Sequence, residues 1–176
     1  MDLYLTIEQP VQCEQIIQTL EDRLEKISNE DDYAFSIMNE LANLLRKHDN
    51  LELASQFYKK ALLCIKRRYK TDYLNHESTS KVLINIATVS YLLQNIPEAL
   101  KYYNHAIEIL GKISGSQRAL SNPSQLLPLL SEEGKVHMSL ANLLKELGEY
   151  SKANSHISTA LLKLQAYGDE VEEIDN

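Results

Sequence analysis

LANLLRKHDNLELA at 41–54 returns almost unchanged as LANLLKELGEYSKA at 140–153, and a looser copy, IATVSYLLQNIPEA, stands between them at 86–99. Each copy carries Ala in second and last place. The closing Ala then opens ASQFYKKA (54–61), ALKYYNHA (99–106) and ANSHISTA (153–160), each ending on Ala seven residues later. Apolar residues at i, i+3, i+4 and i+7 share one face of a helix. On that spacing Ala42, Ala87 and Ala141 lie where a first helix meets its partner, and only a small side chain allows close approach there. Ala54, Ala99 and Ala153 do the same on the second helix. Leu45, Tyr58, Tyr103, Leu144 and Ile157 are large enough to fill the space between neighbouring pairs. The pattern is all-α and built of antiparallel helix pairs.

Working outward, polar breaks divide each copy at the same place. They are His48-Asp49-Asn50, Asn95-Ile96-Pro97 and the turn at Gly148, a residue that can take positive φ and end a helix. The map that follows is a lone helix over 10–28 and pairs over 31–47/50–70, 77–94/96–113 and 123–147/149–167. The Ser- and Gly-rich stretch 112–124 reads as a loop, with Asn122-Pro123 capping the next helix and Pro128 and Gly134 as breaks within it. Residues 1–167 are expected to form one domain, and 168–176 a disordered acidic tail with little to bury.

Composition agrees with a globular helical chain: 44% apolar, 24% charged, five Gly and four Pro in 176 residues. The net charge of −7 is distributed as −7 over 1–50, +5 over 51–167 and −5 over 168–176. A net acidic chain without a dominant basic face argues against nucleic-acid binding. The densest basic run, Lys59 to Lys70, falls on a second helix, where an outward, solvated face is expected. No apolar stretch reaches the length of a membrane span. With no leader-like N-terminus and no paired cysteine motif, a cytoplasmic location is expected, nuclear or cytoskeletal association remaining open.

The small-residue framework, the Gly148-Glu149-Tyr150 turn and a Tyr in the second helix resemble the tetratricopeptide repeat family over about residues 34–165. The resemblance implies a right-handed α-solenoid of helix pairs, here three pairs plus an N-terminal helix. The framework Ala residues recur at spacings of 45 and 54, longer than the ~34 residues of the ordinary repeat. YLNHESTSKVLINIATVSY at 73–91 is similar to the longer kinesin-light-chain type, in which a His-x-Ser/Thr loop precedes the next first helix.

In such a solenoid the first helices line the concave side, and polar residues there are left for binding. The first pair offers Asn39, Glu40, Asn43, Arg46 and Lys47. The second offers Lys81, Asn85, Thr88 and Tyr91, and the third Lys135, Met138, Ser139, Asn142, Lys145 and Glu146. Asn39, Asn43, Asn85 and Asn142 read as an inward series whose amides can both donate to and accept from a peptide backbone. The same residues also read as polar positions on a solvated helix. Five bases against two acids give a net +3 lining. The carboxylate clamp with which many relatives grip chaperone tails has its pattern met at Asn43, Asn85 and Lys135. It lacks two cations, since Asn39 and Ser139 stand in their places.

The expected partner is therefore another protein, presenting an extended or helical acidic segment to this groove. Three further readings are a structural subunit of a larger assembly, a chaperone-tail binder and self-docking of the acidic tail. No catalytic residue, metal site or cofactor is expected. The five His are dispersed, Cys13 and Cys64 sit on apolar helix positions, and no phosphate-binding Gly loop is present.

Overall fold

The computed structural model describes Thr19 and residues 34–116 and 122–175. Six helices are defined: α1 Ala34–Lys47, α2 Leu51–Tyr69, α3 Glu77–Leu92, α4 Ile96–Ser114, α5 Pro123–Glu146 and α6 Tyr150–Asp175, with a 3-10 helix at Lys70–Asn75 after α2. No strand occurs among the described residues. The lone helix expected over 10–28 lies outside them, apart from Thr19. The helices fall into two compact units that divide after Arg68, where the sequence suggests one domain over 1–167. The division stands at the end of α2, beside the positive φ of Lys70 (47°) that opens the 3-10 helix.

In the first unit, Ala34, Met38, Leu41, Ala42 and Leu45 make one buried face of α1. It meets Ala54, Phe57, Tyr58, Ala61 and Ile65 of α2, with the Cys64 thiol 3.8 Å from the Met38 sulfur. Lys66, Arg67 and Arg68 occupy the last turn of α2, where cations complement the helix dipole.

The second unit contains α3 to α6. Val82, Leu83, Ile86, Ala87 and Val89 of α3 are buried, as are Ala99, Tyr103, Ala106, Ile109 and Leu110 of α4. All six framework Ala residues are at most 2% exposed, so the spacing that defines the pattern marks the helix contacts. The His-x-Ser loop has a physical role. His76 Nδ1 accepts from the Ser78 backbone N–H at 3.3 Å, capping α3, while its ring stacks on Tyr69 at 4.2 Å. At the head of α4, Asn95 accepts from the Glu98 N–H and donates to the Glu98 carboxylate, with Pro97 in the first turn as its sequence predicts.

The turn inside each pair is built the same way three times. Asp49, Gln94 and Gly148 take φ of 60°, 59° and 76°. The next N–H in each case bonds back to a carbonyl in the last turn of the first helix: Asn50 to Leu45, Asn95 to Ser90 and Glu149 to Leu144, at 2.8–2.9 Å. The left-handed residues themselves bond to Arg46, Tyr91 and Lys145. This is the Schellman arrangement, which suits Gly. At Asp49 and Gln94 a side chain is carried at a cost of about 1 kcal/mol or more.

Two expected breaks do not occur. Helix α5 continues through Pro128, its sixth residue, where the missing N–H removes the one bond to the Ser124 carbonyl. It continues through Gly134 as well, whose role is contact. A Cβ there would stand 2.8 Å from Leu164 Cγ and 3.4 Å from the Ala160 carbonyl oxygen, so Gly is what lets α6 approach α5 this closely. The same contact carries a buried carboxylate. Glu133, 4% exposed, accepts from Ser114 Oγ of α4 at 3.1 Å and pairs with Lys163 of α6 at 3.0 Å. One turn on, His137 and His156, dispersed in sequence, bring their Nδ1 atoms to 2.8 Å. Residues 168–175, expected to be disordered, continue α6 as helical backbone. Extending an existing helix costs far less than starting one, and Glu is a good helix former.

Candidate functional site

The residue after each first-helix Ala faces the fourth residue after each second-helix Ala, fifteen positions on, and the three repeats treat this pair differently. In the first unit, Tyr58 donates to Asn43 Oδ1 at 2.7 Å. Burial pushes the Tyr58 phenol above its usual range, and the Arg46 guanidinium beside it pulls the other way. Asn43 and Arg46, both expected to face a ligand, are thus engaged with a fully buried tyrosine of their own unit. Asn39 is half-buried on the same helix.

In the second unit, Thr88 Oγ1 donates to the Ile84 carbonyl at 2.9 Å and lies 3.1 Å from Tyr103 Oη, so the tyrosine donates to it. The third repeat has Asn142 and Ile157. Isoleucine offers no hydroxyl, and Asn142 stays exposed. The four asparagines therefore do not form one equivalent series. Counting from the framework Ala, Asn39 aligns with Ile84 and Met138, and Asn85 with Glu40 and Ser139.

Asn142 lies in a trough between α3 and α5. One hollow, about 610 Å³, has Thr88, Tyr91 and Leu92 of α3 on one side and Ser139, Asn142, Lys145 and Glu146 of α5 on the other. Tyr103 and Tyr150 complete it. A second hollow, about 650 Å³, runs from Ile84 to Leu127, Glu132, Lys135 and Val136, with Tyr167 of α6 at its edge. Ser139 lines both, so the two adjoin along α5. Seven of the residues offered from the sequence, Thr88, Tyr91, Lys135, Ser139, Asn142, Lys145 and Glu146, line the trough. Lys81 and Asn85 lie on α3 but line neither hollow.

The charge of this trough differs from the expected net +3. Lys81 pairs with Glu77 at 2.6 Å, an interaction that raises its pKa. Glu132 stands near Lys81 and Lys135, and burial pushes its carboxyl above the usual range. Tyr91 donates to Glu146 at 2.6 Å, and that carboxylate holds the phenol above its usual value. Within the two hollows Lys135 and Lys145 are thus matched in number by Glu132 and Glu146, with the Lys81–Glu77 pair outside them. Lys135 and Lys145 form no ion pair among the described residues. The reading from sequence missed Glu132, three residues before Lys135 on the same face, although that spacing could have revealed it. It also missed Tyr150 and Tyr167, because second helices were taken to face outward. No group of three His, Cys, Asp or Glu residues able to hold a metal occurs among the described residues.

Residues 33–112 match the family model of the tetratricopeptide repeat, so this part of the chain is built of tetratricopeptide repeats. No curated protein matches the sequence. Among solved structures, a point variant of a Podosopora anserina protein, described as a kinesin light chain with nearly identical TPR-like repeats, is similar at TM-score 0.52 and 13% identity. The match covers 93% of this chain and 85% of that one. BtubC (BKLC) from P. vanneervenii is similar at TM-score 0.49 and 16% identity, over 88% of this chain and 73% of that one. The first likeness places the fold in the tetratricopeptide-like α-solenoid class. Repeats of this family are protein-interaction scaffolds and generally do not catalyse reactions. No described helix is long and apolar enough to cross a membrane.

Proposed function

We propose that the trough between α3 and α5 holds a linear, acidic segment of another protein in extended form, and that the chain serves as an adaptor. The observation that carries this reading is that the two hollows adjoin at Ser139, one after the other along α5. From Ser124 to Glu146, α5 runs for ~33 Å, room for ~ten residues of extended chain. Ile84, Leu127 and Val136 give one part of the wall an apolar character, and Leu92 and Leu143 the other. The amide of Asn142 supplies both a donor and an acceptor for a peptide backbone. Lys135 and Lys145 lie ~15 Å apart along the helix, matching acidic side chains four or five residues apart in an extended partner. Glu132 before Lys135 and Glu146 after Lys145 limit how many acids the partner can carry. A chaperone-type carboxylate clamp is less well supported, since Ser139 in place of its cation donates to the Lys135 carbonyl. In the cytoplasm, the expected location, the buried free thiol of Cys64 would stay reduced.

A displayed library of ten-residue peptides tests the reading. Selected binders should be enriched in Asp and Glu, and Lys135→Ala combined with Asn142→Ala should weaken them at least tenfold with helicity by circular dichroism unchanged. A photo-crosslinking residue at Ser139 should capture the selected peptide, and one at the exposed Asn104 of α4 should not. Undiminished binding by the double variant, or equal capture at both positions, would overturn the assignment.

A further inference from the structure

The contact between α5 and α6 brings together two histidines that the peptide-binding reading does not use. His137 is buried, 6% exposed, and His156 is half-buried. Their rings are 5.0 Å apart and inclined by 34°, with Nδ1 facing Nδ1 at 2.8 Å. That distance requires a hydrogen bond, and a hydrogen bond between two Nδ1 atoms requires one proton between them. One ring carries its proton on Nδ1 and donates, and the other accepts. A first added proton leaves the contact intact, because an imidazolium can still donate to a neutral ring. A second leaves two N–H groups and two positive charges pointed at each other across 2.8 Å.

We propose that the His137–His156 pair is a proton-operated latch, closed while at least one of the two rings is neutral and opened, with release of α6 from α5, when both are protonated. The surroundings decide how hard the second proton is to add. From α5, Glu133 lies one turn before His137 and favours protonation. From α6, Lys163 opposes it, and Lys163 and Glu133 are already committed to each other at 3.0 Å. Lys152, one turn before His156, is exposed and paired with Glu149. Helix α4 presents Ser114, whose hydroxyl bonds to Glu133, while its Glu108–Lys112 pair lies on the exposed surface.

Burial, then the facing His156, hold the His137 imidazole below its ordinary pKa, and burial does the same to His156. The sign follows from this. In the unfolded chain both rings take up protons as pH falls through their ordinary value of about 6.5. The folded pair resists, so the stability the latch gives is complete above that pH and is lost as pH falls below it. Opening would also withdraw Tyr150 and Tyr167, the two residues by which α6 reaches the trough.

The full chain, in buffer with a chelator, tests the latch without any partner. NMR titration of the histidine rings should show His137 and His156 titrating below the ordinary imidazole range. Hydrogen exchange, corrected for its intrinsic pH dependence, should show α6 amides losing protection between about pH 7 and about pH 5 while those of α3 and α4 keep theirs. In His137→Asn/His156→Asn, where an amide pair can replace the ring contact without titrating, this loss should disappear. Should that variant fail to fold, the ring titrations and α6 exchange of the wild type still decide the matter. Rings titrating at or above the ordinary value, or α6 protection independent of pH, would overturn the proposal. Loss of peptide binding with the latch behaviour intact would instead count against the trough alone.

Discussion

The first and third helix pairs carry the same five letters, LANLL, in their first helices, yet use their asparagine in opposite ways. In the first pair, Asn43 is bound by the buried hydroxyl of Tyr58 and holds α1 to α2. In the third, Ile157 takes the tyrosine's place, and Asn142 is left exposed in the trough. The third pair makes up for the lost bond by closer approach, with Gly134 against Leu164 and Ala160, the Glu133–Lys163 pair and the two histidines. One residue fifteen positions away thus decides whether an identical asparagine serves the fold or remains available to a partner.

The comparison can be broken at its strongest point first. Gly134→Val puts side-chain atoms where Leu164 already stands and should cost about 3 kcal/mol, with the loss centred on α6. A urea midpoint equal to wild type would show that the close approach does not hold this pair. Tyr58→Phe removes the hydroxyl from Asn43 and Arg46 and should cost about 2 kcal/mol in the same measurement, because half-buried polar groups lose their partner. The same change at Tyr103, whose partner Thr88 keeps its bond to Ile84, should cost less. Gln94→Gly relieves a left-handed residue and should stabilise by about 1 kcal/mol, while Gly148→Ala should destabilise by a similar amount. A Cβ at Gly148 meets nothing within 4 Å, so that change isolates the backbone term. Ile157→Tyr should restore the missing bond to Asn142, add ~1 kcal/mol or less, and weaken peptide binding.

The helix pairs were readable because their determinants are local: small residues at helical spacing, and turn residues at fixed offsets. All six framework Ala residues and the cap at Asn95 lie where that reasoning puts them. Gly134 was misread because a glycine inside a helix looks like a break until the neighbouring helix is seen. The acidic stretch after Tyr167 continues α6 as helical backbone, a continuation that composition alone does not register. The candidate site was read less fully. Reasoning from first helices alone offered Lys135, Asn142 and Lys145, which line the trough, but it had no means of counting Tyr150 and Tyr167. It also set four asparagines in one series, because the fate of Asn43 depends on Tyr58, a contact across the pair that periodicity along one helix does not reveal. The histidines escaped notice for the same reason, being nineteen residues apart on facing helices.

Asn43→Ala and Asn142→Ala, measured side by side for peptide affinity and urea midpoint, test the central claim most directly. Asn142→Ala should weaken binding several-fold and leave the midpoint within about 0.5 kcal/mol of wild type, as expected for an exposed residue. Asn43→Ala should lower the midpoint and leave affinity unchanged. The reverse pattern, or equal effects of the two changes on both quantities, would contradict the account.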